Sequence, residues 1–435
     1  MNPCDEIPPR THIQGGRLID PANGIDGTLD LFLADRQVVG IGDAPDGFQA
    51  ERVIDARGQV VCPGLIDLAV RLREPGQEHK ATIDSECRAA ASAGITTLCC
   101  PPDTDPVIDT PAVVELIHHR ARQTNTTRVL TLGALTRDLE GELLSEMRAL
   151  QLAGCVGVTN IMHPLANALV ERRAFEYAAT FGLTVHLHAN DTALSNGGCA
   201  HEGAVATRLG LPGIPTATET ASVARLLALV EQTGVRAHFC RVTSGRALSM
   251  IARARFDGLP VSADVAVPYL FLTELDIAEF DSQCHVLPPL RTQEDRDALR
   301  AGLANGSLEV LCSDHQPHED DAKRAPFPST APGISGLDTL LPMALRLVEQ
   351  GAMELTDVLQ RLTAGPAAIL GLRQGQLAIG APADLCVFDP EHTWVLDDRT
   401  MESEGHNSPF KGWEMKGRAS HTLLNGRVVY SREEL

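Results

Sequence analysis

The residues best suited to chemistry lie in two short runs, each at the end of an apolar segment typical of a strand. One run is His186-Leu187-His188, and the other is SDHQPH at residues 313–318. Alternate residues of a strand point to the same face, so His186 and His188 can act together. Imidazole nitrogens and carboxylate oxygens serve as metal ligands and as general acids and bases. These runs therefore indicate where a catalytic or metal site would lie.

An alternation of apolar runs with amphipathic segments predicts how these residues are positioned. Segments of helical length separate most of the eight runs, which are residues 64–68, 95–98, 129–133, 155–158, 183–187, 235–240, 260–263 and 308–312. Eight strands with intervening helices is the count of a TIM barrel, where reacting groups stand at the C-terminal strand ends. A doubly wound open sheet is the alternative, but no phosphate-binding glycine motif supports it.

Both ends of the chain carry short β-rich runs with turn signals. The runs are residues 28–33, 38–41 and 52–55, then 383–389 and a hairpin over 421–429 that closes at Asn425-Gly426. We therefore predict an α/β protein with two parts. A (β/α)8 TIM barrel covers residues 63–374, and residues 1–62 together with 375–435 form a small composite β-sandwich.

Composition and charge favour a cytoplasmic protein that binds neither nucleic acid nor membranes. The 435 residues carry a formal net charge of −20, which opposes phosphate backbones and anionic lipid. No apolar run has the roughly 18 residues of a membrane span, and the polar segment 1–12 is no signal peptide. The eleven cysteines are scattered and form no C-x-x-C motif, which predicts reduced, buried thiols.

Five motifs give the chain a resemblance to the class I dihydroorotase group of the amidohydrolase superfamily. They are PGLIDLAVRLREPG at 63–76, AGITTL at 93–98, DTDPVID at 103–109, SDHQPH at 313–318 and NSPFKG at 407–412. The resemblance extends over nearly the whole chain, and the motifs occur in the family's order. It implies a metal-dependent barrel with a composite β-sandwich. It also implies an ancestral activity, the reversible cyclisation of carbamoyl aspartate to dihydroorotate.

The resemblance implies that the metal centre of the family has been dismantled here. Six positions correspond to the family's metal ligands and catalytic aspartate: Ala69, Arg71, Asn160, His188, Arg241 and Asp314. Only His188 and Asp314 keep a ligating residue type. Alanine has no donor atom, and arginine stays protonated and repels a dication. Zinc usually needs three protein ligands. We therefore expect no metal, no cofactor and no functional catalytic residue.

The vacated centre is expected to be filled by positive charge. Arg71 and Arg241 replace two metal-binding histidines, while Asp314 remains. A buried carboxylate must be paired or protonated, so one of these arginines is predicted to neutralise Asp314.

Three further positions resemble the family's contacts to its substrate. They are Arg73, Asp103 and His318. Arg73 and His318 match groups that bind a substrate carboxylate, whereas Asp103 replaces an asparagine and would repel an anion. An ion pair of Arg73 with Asp67 or Asp103 is the structural alternative to residual ligand binding.

The substitutions resemble most closely those of the metal-free, dihydroorotase-like subunits of some bacterial aspartate carbamoyltransferases. We therefore predict a non-catalytic assembly subunit of such a complex in de novo pyrimidine biosynthesis, hetero-oligomeric with the aspartate carbamoyltransferase catalytic subunit. The first alternative is an active, metal-dependent cyclic amidohydrolase, dihydroorotase-like or hydantoinase-like, with a rearranged site built from His186, His188, Asp314 and His315. The second is a metabolite-binding regulator that keeps Arg73 and His318 as an anion clamp.

Overall fold

Strands and helices alternate through most of the structure, a computed structural model that describes residues 7–432. The strands are β1 (Thr11–Gln14), β2 (Arg17–Asp20), β3 (Ile25–Thr28), β4 (Leu31–Ala34), β5 (Gln37–Ile41), β6 (Arg52–Asp55), β7 (Val60–Pro63), β8 (Leu65–Asp67), β9 (Ile95–Cys100), β10 (Arg128–Ala134), β11 (Gly157–Thr159), β12 (Val185–Leu187), β13 (Ala200–His201), β14 (Gly213–Ile214), β15 (Ala237–Phe239), β16 (Val261–Ala266), β17 (Val310–Cys312), β18 (Leu385–Val395), β19 (Glu414–Leu424) and β20 (Arg427–Ser431).

The α-helices are α1 (Ile83–Ser92), α2 (Pro111–Thr124), α3 (Met147–Ala153), α4 (Ala168–Thr180), α5 (Thr192–Ser195), α6 (Ala204–Leu209), α7 (Ala217–Thr233), α8 (Gly245–Phe256), α9 (Pro268–Phe271), α10 (Gln293–Ala304), α11 (Leu337–Glu349), α12 (Leu355–Leu362) and α13 (Ala364–Leu370). Short 3-10 helices occur at Pro21–Asn23, Arg137–Leu139, Glu274–Ile277, Ser282–Cys284, Asp320–Lys323 and Phe327–Ser329.

Eight parallel strands, β8–β12 and β15–β17, form the central barrel. Their hydrogen-bonded order follows the chain from β8 to β17. The first and last strands meet just beyond their ends, where Val70 pairs with His315. At this closure the backbone N of Arg71 donates to the carbonyl of His315 at 3.0 Å. The predicted TIM barrel is therefore confirmed, and the open-sheet alternative is wrong.

Short apolar runs become barrel strands because they are buried on both faces, as β9 illustrates with all six residues buried. The surrounding helices bury one face each. In α7 the residues Val223, Leu226 and Val230 recur at helical spacing and are buried, and Gly234 ends the helix in the left-handed region. This alternation brings the C-terminal ends of all eight strands to one rim of the barrel.

Strands from the two chain ends pair with each other and form two further sheets. One has the order β5-β4-β1-β6, and the other has the order β20-β19-β18-β7-β2-β3. An apolar cluster that includes Leu18, Leu33, Leu385 and Leu423 draws on both sheets. The predicted composite β-sandwich is confirmed. Its boundaries, residues 62/63 and 374/375, stay a prediction.

The N-terminal strands depart from the prediction in detail. The run 28–33 is two strands, β3 and β4, separated at Leu29-Asp30, and strands β1 and β2 are additional. The strand is interrupted at Asp30, whose carboxylate accepts hydrogen bonds from His12 and from the backbone N of Gly15. At the other chain end the hairpin closes at Asn425-Gly426 as predicted. Both residues have positive φ, 50° and 76°, which this tight turn requires.

One ion pair ties the barrel to the chain-end strands. The Arg128 guanidinium on β10 contacts the Asp384 carboxylate at 2.5 Å, and the Asp384 side chain is only 2% exposed. Asp384 also accepts from the backbone N of Asn425 at 2.8 Å. The same carboxylate therefore neutralises a barrel cation and positions the hairpin turn.

The cysteines within residues 7–432 are all buried and free, in agreement with the expected reduced thiols. Cys4 lies outside the described residues.

Within residues 7–432, none of the helices combines the length and apolar character needed to cross a membrane.

Candidate functional site

Two arginines and three carboxylates meet at the C-terminal rim of the barrel. Arg71 follows β8, Asp103 follows β9, Arg241 follows β15, Asp264 lies within β16 and Asp314 follows β17. The Asp264 side chain is fully buried, and those of Arg241 and Asp314 are 7% and 10% exposed. We call these five side chains the strand-end cluster.

Arg71 joins two of the carboxylates. Its Nε donates to Asp103 Oδ2 at 2.6 Å, and its Nη1 lies 3.7 Å from Asp314 Oδ1. Burial alone would lower the pKa of Arg71, but the attraction of Asp103 and Asp314 outweighs it and raises this pKa. Burial likewise tends to raise the pKa of Asp103, and Arg71 lowers it more strongly. Both groups are therefore held in their charged forms.

Arg241 contacts two of the carboxylates, Asp264 and Asp314. Its Nε lies 3.5 Å from Asp314 Oδ1, and its Nη1 lies 4.0 Å from Asp264 Oδ2. Its backbone N donates to Asp264 Oδ1 at 2.5 Å. Arg241 and Asp314 both have positive φ, 50° and 48°, which non-glycine residues seldom adopt. Asp314 was predicted to contact one of two arginines, and in the structure it contacts both, Arg71 and Arg241.

His188 accepts a hydrogen bond from the same arginine. Arg241 Nη2 lies 2.5 Å from His188 Nε2 and 3.3 Å from His188 Nδ1. Arginine can only donate, so the imidazole of His188 is the acceptor. Burial, followed by the charge of Arg241, lowers the pKa of His188 well below its ordinary value. Both ring nitrogens of His188 are therefore approached by the guanidinium of Arg241.

Asp264 is the member of the cluster that sequence reasoning missed. Its Oδ2 contacts His238 Nε2 at 2.9 Å, and His238 Nδ1 contacts Ser262 Oγ at 2.8 Å. Burial tends to raise the pKa of Asp264, but the hydrogen bond from His238 and the charge of Arg241 lower it. The available signal was Ser262 and Asp264 at alternate positions of an otherwise apolar strand. His238 is the hydrogen-bonded interior histidine that the sequence indicated.

Two of the predicted positions contribute no functional group to the cluster. Asn160 Oδ1 accepts from Thr136 Oγ1 at 2.8 Å, and its Nδ2 donates to the carbonyls of Leu139 and His163 at 3.3 and 3.1 Å. That Asn160 belongs to the degenerate centre stays a prediction; in the structure its amide joins two loops. Ala69 is buried, and its carbonyl accepts from the backbone N of His315 at 2.9 Å where the barrel closes.

Arg73 and His318 lie together, but without the expected ion pair. Arg73 Nη2 lies 3.1 Å from His318 Nε2, and Arg73 Nε donates to the carbonyl of Pro317 at 3.0 Å. No carboxylate of the described residues lies within ion-pair distance of Arg73, so the predicted pairing with Asp67 or Asp103 is wrong. Burial, Arg73 and Lys80 lower the pKa of His318 to about 2, which makes it a neutral ring beside two cations. An anion clamp at this place stays a prediction.

The rearranged metal site considered as an alternative is not assembled. His315 Nε2 contacts Glu86 Oε2 at 2.8 Å, and its Nδ1 accepts from the backbone N of Gly336 at 3.0 Å, so both ring nitrogens point away from Asp314. A different group, His186, His238 and Cys240, has ligand atoms within 4.8 Å of one another. Both nitrogens of His238 already have partners, however, and burial raises the pKa of the Cys240 thiol.

Comparison with known proteins gives one consistent result. Residues 58–246 match the model of a family described as Dihydro-orotase-like. The chain is 50% identical to a dihydroorotase-like protein of Pseudomonas aeruginosa, over 96% of this chain and 99% of that protein. It is 43% identical to a dihydroorotase of Syntrophotalea carbinolica, over 96% and 98%. Among solved structures, L-hydantoinase from Arthrobacter aurescens is similar with a TM-score of 0.88 at 25% identity, covering 98% of this chain and 97% of that chain.

The first prediction concerns the neutralising role of Arg241. Replacing it in Arg241→Met leaves Asp264 and Asp314 without their shared cation, which is expected to lower the free energy of unfolding by about 3 kcal/mol or more. Adding Asp314→Asn should recover part of that loss. Urea unfolding followed by circular dichroism measures both. Arg253→Met is the control, since the Arg253–Asp257 pair is exposed and should contribute about 0.5 kcal/mol or less. A loss below that of the control would contradict the assignment.

The second prediction concerns Asp67 at the end of β8. Burial raises the pKa of Asp67 to about 6, and its Oδ2 has no hydrogen-bond partner among the described residues. The unfolded chain releases this proton near pH 4, so the contribution of Asp67 to stability falls as pH rises from 4 to 6. Asp67→Asn removes that ionisation. Its free energy of unfolding relative to wild type should therefore increase by about 2 kcal/mol between pH 4 and pH 8.

The measurement is urea unfolding of both proteins across that pH range. Asp84→Asn serves as the control because Asp84 is exposed on α1 and pairs with Arg88 at 2.9 Å. The stability difference of Asp67→Asn from wild type should change with pH by more than that of Asp84→Asn. Equal changes for the two variants would contradict the raised pKa of Asp67.

Proposed function

Because the chain belongs to the dihydroorotase-like family of the amidohydrolase superfamily, we propose that it is a non-catalytic member of that family. Its role is that of an assembly subunit, which joins aspartate carbamoyltransferase catalytic subunits in a hetero-oligomer of de novo pyrimidine biosynthesis. The proposal that the chain is non-catalytic rests on one observation, that two guanidiniums approach the same carboxylate. Arg71 and Arg241 lie 3.7 and 3.5 Å from Asp314 Oδ1.

Electrostatics supports the loss of metal-dependent chemistry. At an effective dielectric constant of 20, a dication and an arginine 4 Å apart repel each other by about 8 kcal/mol. The carboxylates that could offset this repulsion, Asp103, Asp264 and Asp314, already face arginine nitrogens. A metal would therefore have to displace two buried cations as well as bind. Hydrolysis by this family's route depends on a metal that polarises the substrate and activates water.

The protein groups that remain are poorly suited to replace that chemistry. Asp314 Oδ2 accepts from Gln316 Nε2 at 3.0 Å, while Oδ1 faces the two arginines. Both ring nitrogens of His188 lie within hydrogen-bond distance of Arg241 Nη2. Each of the two groups therefore has an arginine beside it where a catalytic base would need a free acceptor.

An amidohydrolase with a relocated metal is the second candidate, favoured by the grouping of His186, His238 and Cys240 within 4.8 Å. All three side chains are buried inside the barrel. A metal there would have to replace the contacts of His238 with Ser262 or Asp264, and Arg241 would still lie beside it. The arrangement therefore supports a structural role for these residues more than a catalytic one.

The assembly role rests on the resemblance of the substitutions to those of metal-free carbamoyltransferase subunits. It is supported by the barrel, which has all eight strands although the residues at the centre differ from those of the family. A scaffold needs its surface and its packing, but it does not need metal-binding side chains. The net charge of −20 favours protein partners over nucleic acid or membranes. The buried free cysteines fit our proposal of a cytoplasmic location.

The third prediction is that the chain assembles with the aspartate carbamoyltransferase catalytic subunit of the same organism. After co-expression, the two chains should elute together from size-exclusion chromatography at a mass well above either one alone. The Asp314→Asn variant should elute in the same complex, because the proposal assigns no catalytic role to that carboxylate. Separate elution of the wild-type chain and the catalytic subunit would overturn the assembly proposal while leaving the family membership untouched.

A further inference from the structure

Two grooves meet at Leu259, on the surface formed by α7, α8, α12 and α13. One lies between α7 and α8 and has a volume of about 520 Å³. The other, of about 600 Å³, is lined by the N-terminal ends of β15 and β16 and by α12 and α13. Because Leu259 lines both, they form one continuous groove, which we call the basal groove. It reaches the N-terminal ends of the barrel strands and is therefore separate from the strand-end cluster.

The basal groove is open to solvent. None of the residues that line the part between α7 and α8 is buried, and in the other part only Thr184, Ala237 and Val261 are buried. A small ligand is usually enclosed over most of its surface. An open groove is therefore better suited to a segment of another protein.

Apolar side chains that are partly or fully exposed run along the groove. They are Leu227, Met250, Leu259, Pro260 and Ile369. Phe256 adds to them, because it lies between the lining residues Ala254 and Asp257 in the chain and is 83% exposed. Apolar side chains gathered in one place on a surface are typical of interaction sites.

The carboxylates of the groove are mostly neutralised by neighbouring arginines. Three of them line it, Glu231, Asp257 and Glu309. Asp257 Oδ2 lies 2.8 Å from Arg253 Nε, and Glu309 forms an ion pair with Arg255. Within residues 7–432, only the carboxylate of Glu231 remains without an ion-pair partner.

Three guanidiniums of the groove have no carboxylate of the described residues within ion-pair distance. They belong to Arg236, Arg246 and Arg361. Arg236 donates to the carbonyl of Gly182 and Arg361 to that of Leu303, but neutral carbonyls leave both positive charges uncompensated. The groove is therefore locally positive on a chain whose net charge is −20. Acidic side chains are attracted here and repelled by most of the remaining surface.

We propose that the basal groove binds a segment of the assembly partner that carries apolar and acidic side chains. The inference rests on the proposed function, in which that partner is the aspartate carbamoyltransferase catalytic subunit. The apolar side chains of the segment cover Phe256 and Leu259, and its carboxylates pair with the three uncompensated arginines. Nucleic acid offers negative charge without apolar side chains, and the rest of the chain repels its phosphates.

The fourth prediction tests the charge of the groove. Reversing two of its cations in Arg236→Glu/Arg246→Glu places like charges opposite each other and should raise the dissociation constant at least about tenfold. Surface plasmon resonance with the purified catalytic subunit and the full chain measures this constant. The control is Arg148→Glu/Arg208→Glu, since both arginines are exposed on α3 and α6, outside the groove, and have no carboxylate of the described residues within ion-pair distance. The control should change the constant less than about threefold.

A second pair of variants tests the apolar contact. Phe256→Ser removes the exposed ring and should weaken binding about tenfold, because aromatic side chains often dominate the binding energy of an interface. Leu152→Ser is the control, since Leu152 is 72% exposed on α3 and lies outside the groove. Both side chains are largely exposed, so both variants are expected to fold, which circular dichroism verifies.

The outcomes distinguish this inference from the proposed function. A wild-type chain that does not bind the catalytic subunit would overturn both. A wild-type chain that binds, with groove variants that lose no more affinity than their controls, would overturn the role of the groove alone. Self-association of the wild-type chain that the groove variants abolish would also overturn it, since a second copy of the chain would then cover the groove.

Discussion

The rim of the barrel depends on the contacts of one buried guanidinium. Arg241 lies between Asp314, Asp264 and His188, so that one cation contacts two carboxylates and one imidazole. Buried carboxylates without a cation are too costly to keep ionised. A barrel that retains such acids at its strand ends must therefore supply positive charge, either as a metal or as a side chain. In this chain the arginines supply it.

That constraint explains how the other charged groups of the rim are arranged. Arg71 pairs with Asp103 and approaches Asp314, which completes a network shared by four of the eight strand ends and by β16. The guanidinium is planar and always charged, so it can satisfy several acceptors from one position. The result is an arrangement of paired charges at the rim.

Much of this arrangement could be predicted from the sequence, and the exceptions have physical causes. The eight barrel strands follow from apolar runs of the right length, and the hairpin at Asn425-Gly426 follows from residues that tolerate positive φ. Asp264 was missed because a single acid inside a strand forms no motif. Its role follows from its contacts with His238 and Arg241, which only the structure shows. The hydrogen bonds by which Asn160 joins two loops could not be predicted, because residue type does not show which groups an amide contacts. Arg73 was expected to pair with an acid, but the nearby acid, Asp103, is taken by Arg71.

The most direct test of this account is the zinc content of the chain, purified from zinc-supplemented medium without chelator, together with dihydroorotate turnover by the same preparation. The dihydroorotase of Syntrophotalea carbinolica, purified in parallel, serves as the reference. We expect far less than one zinc per chain and no turnover above the uncatalysed rate. Zinc close to one per chain, with turnover that a chelator removes and zinc restores, would contradict the claim that arginines have replaced the metal.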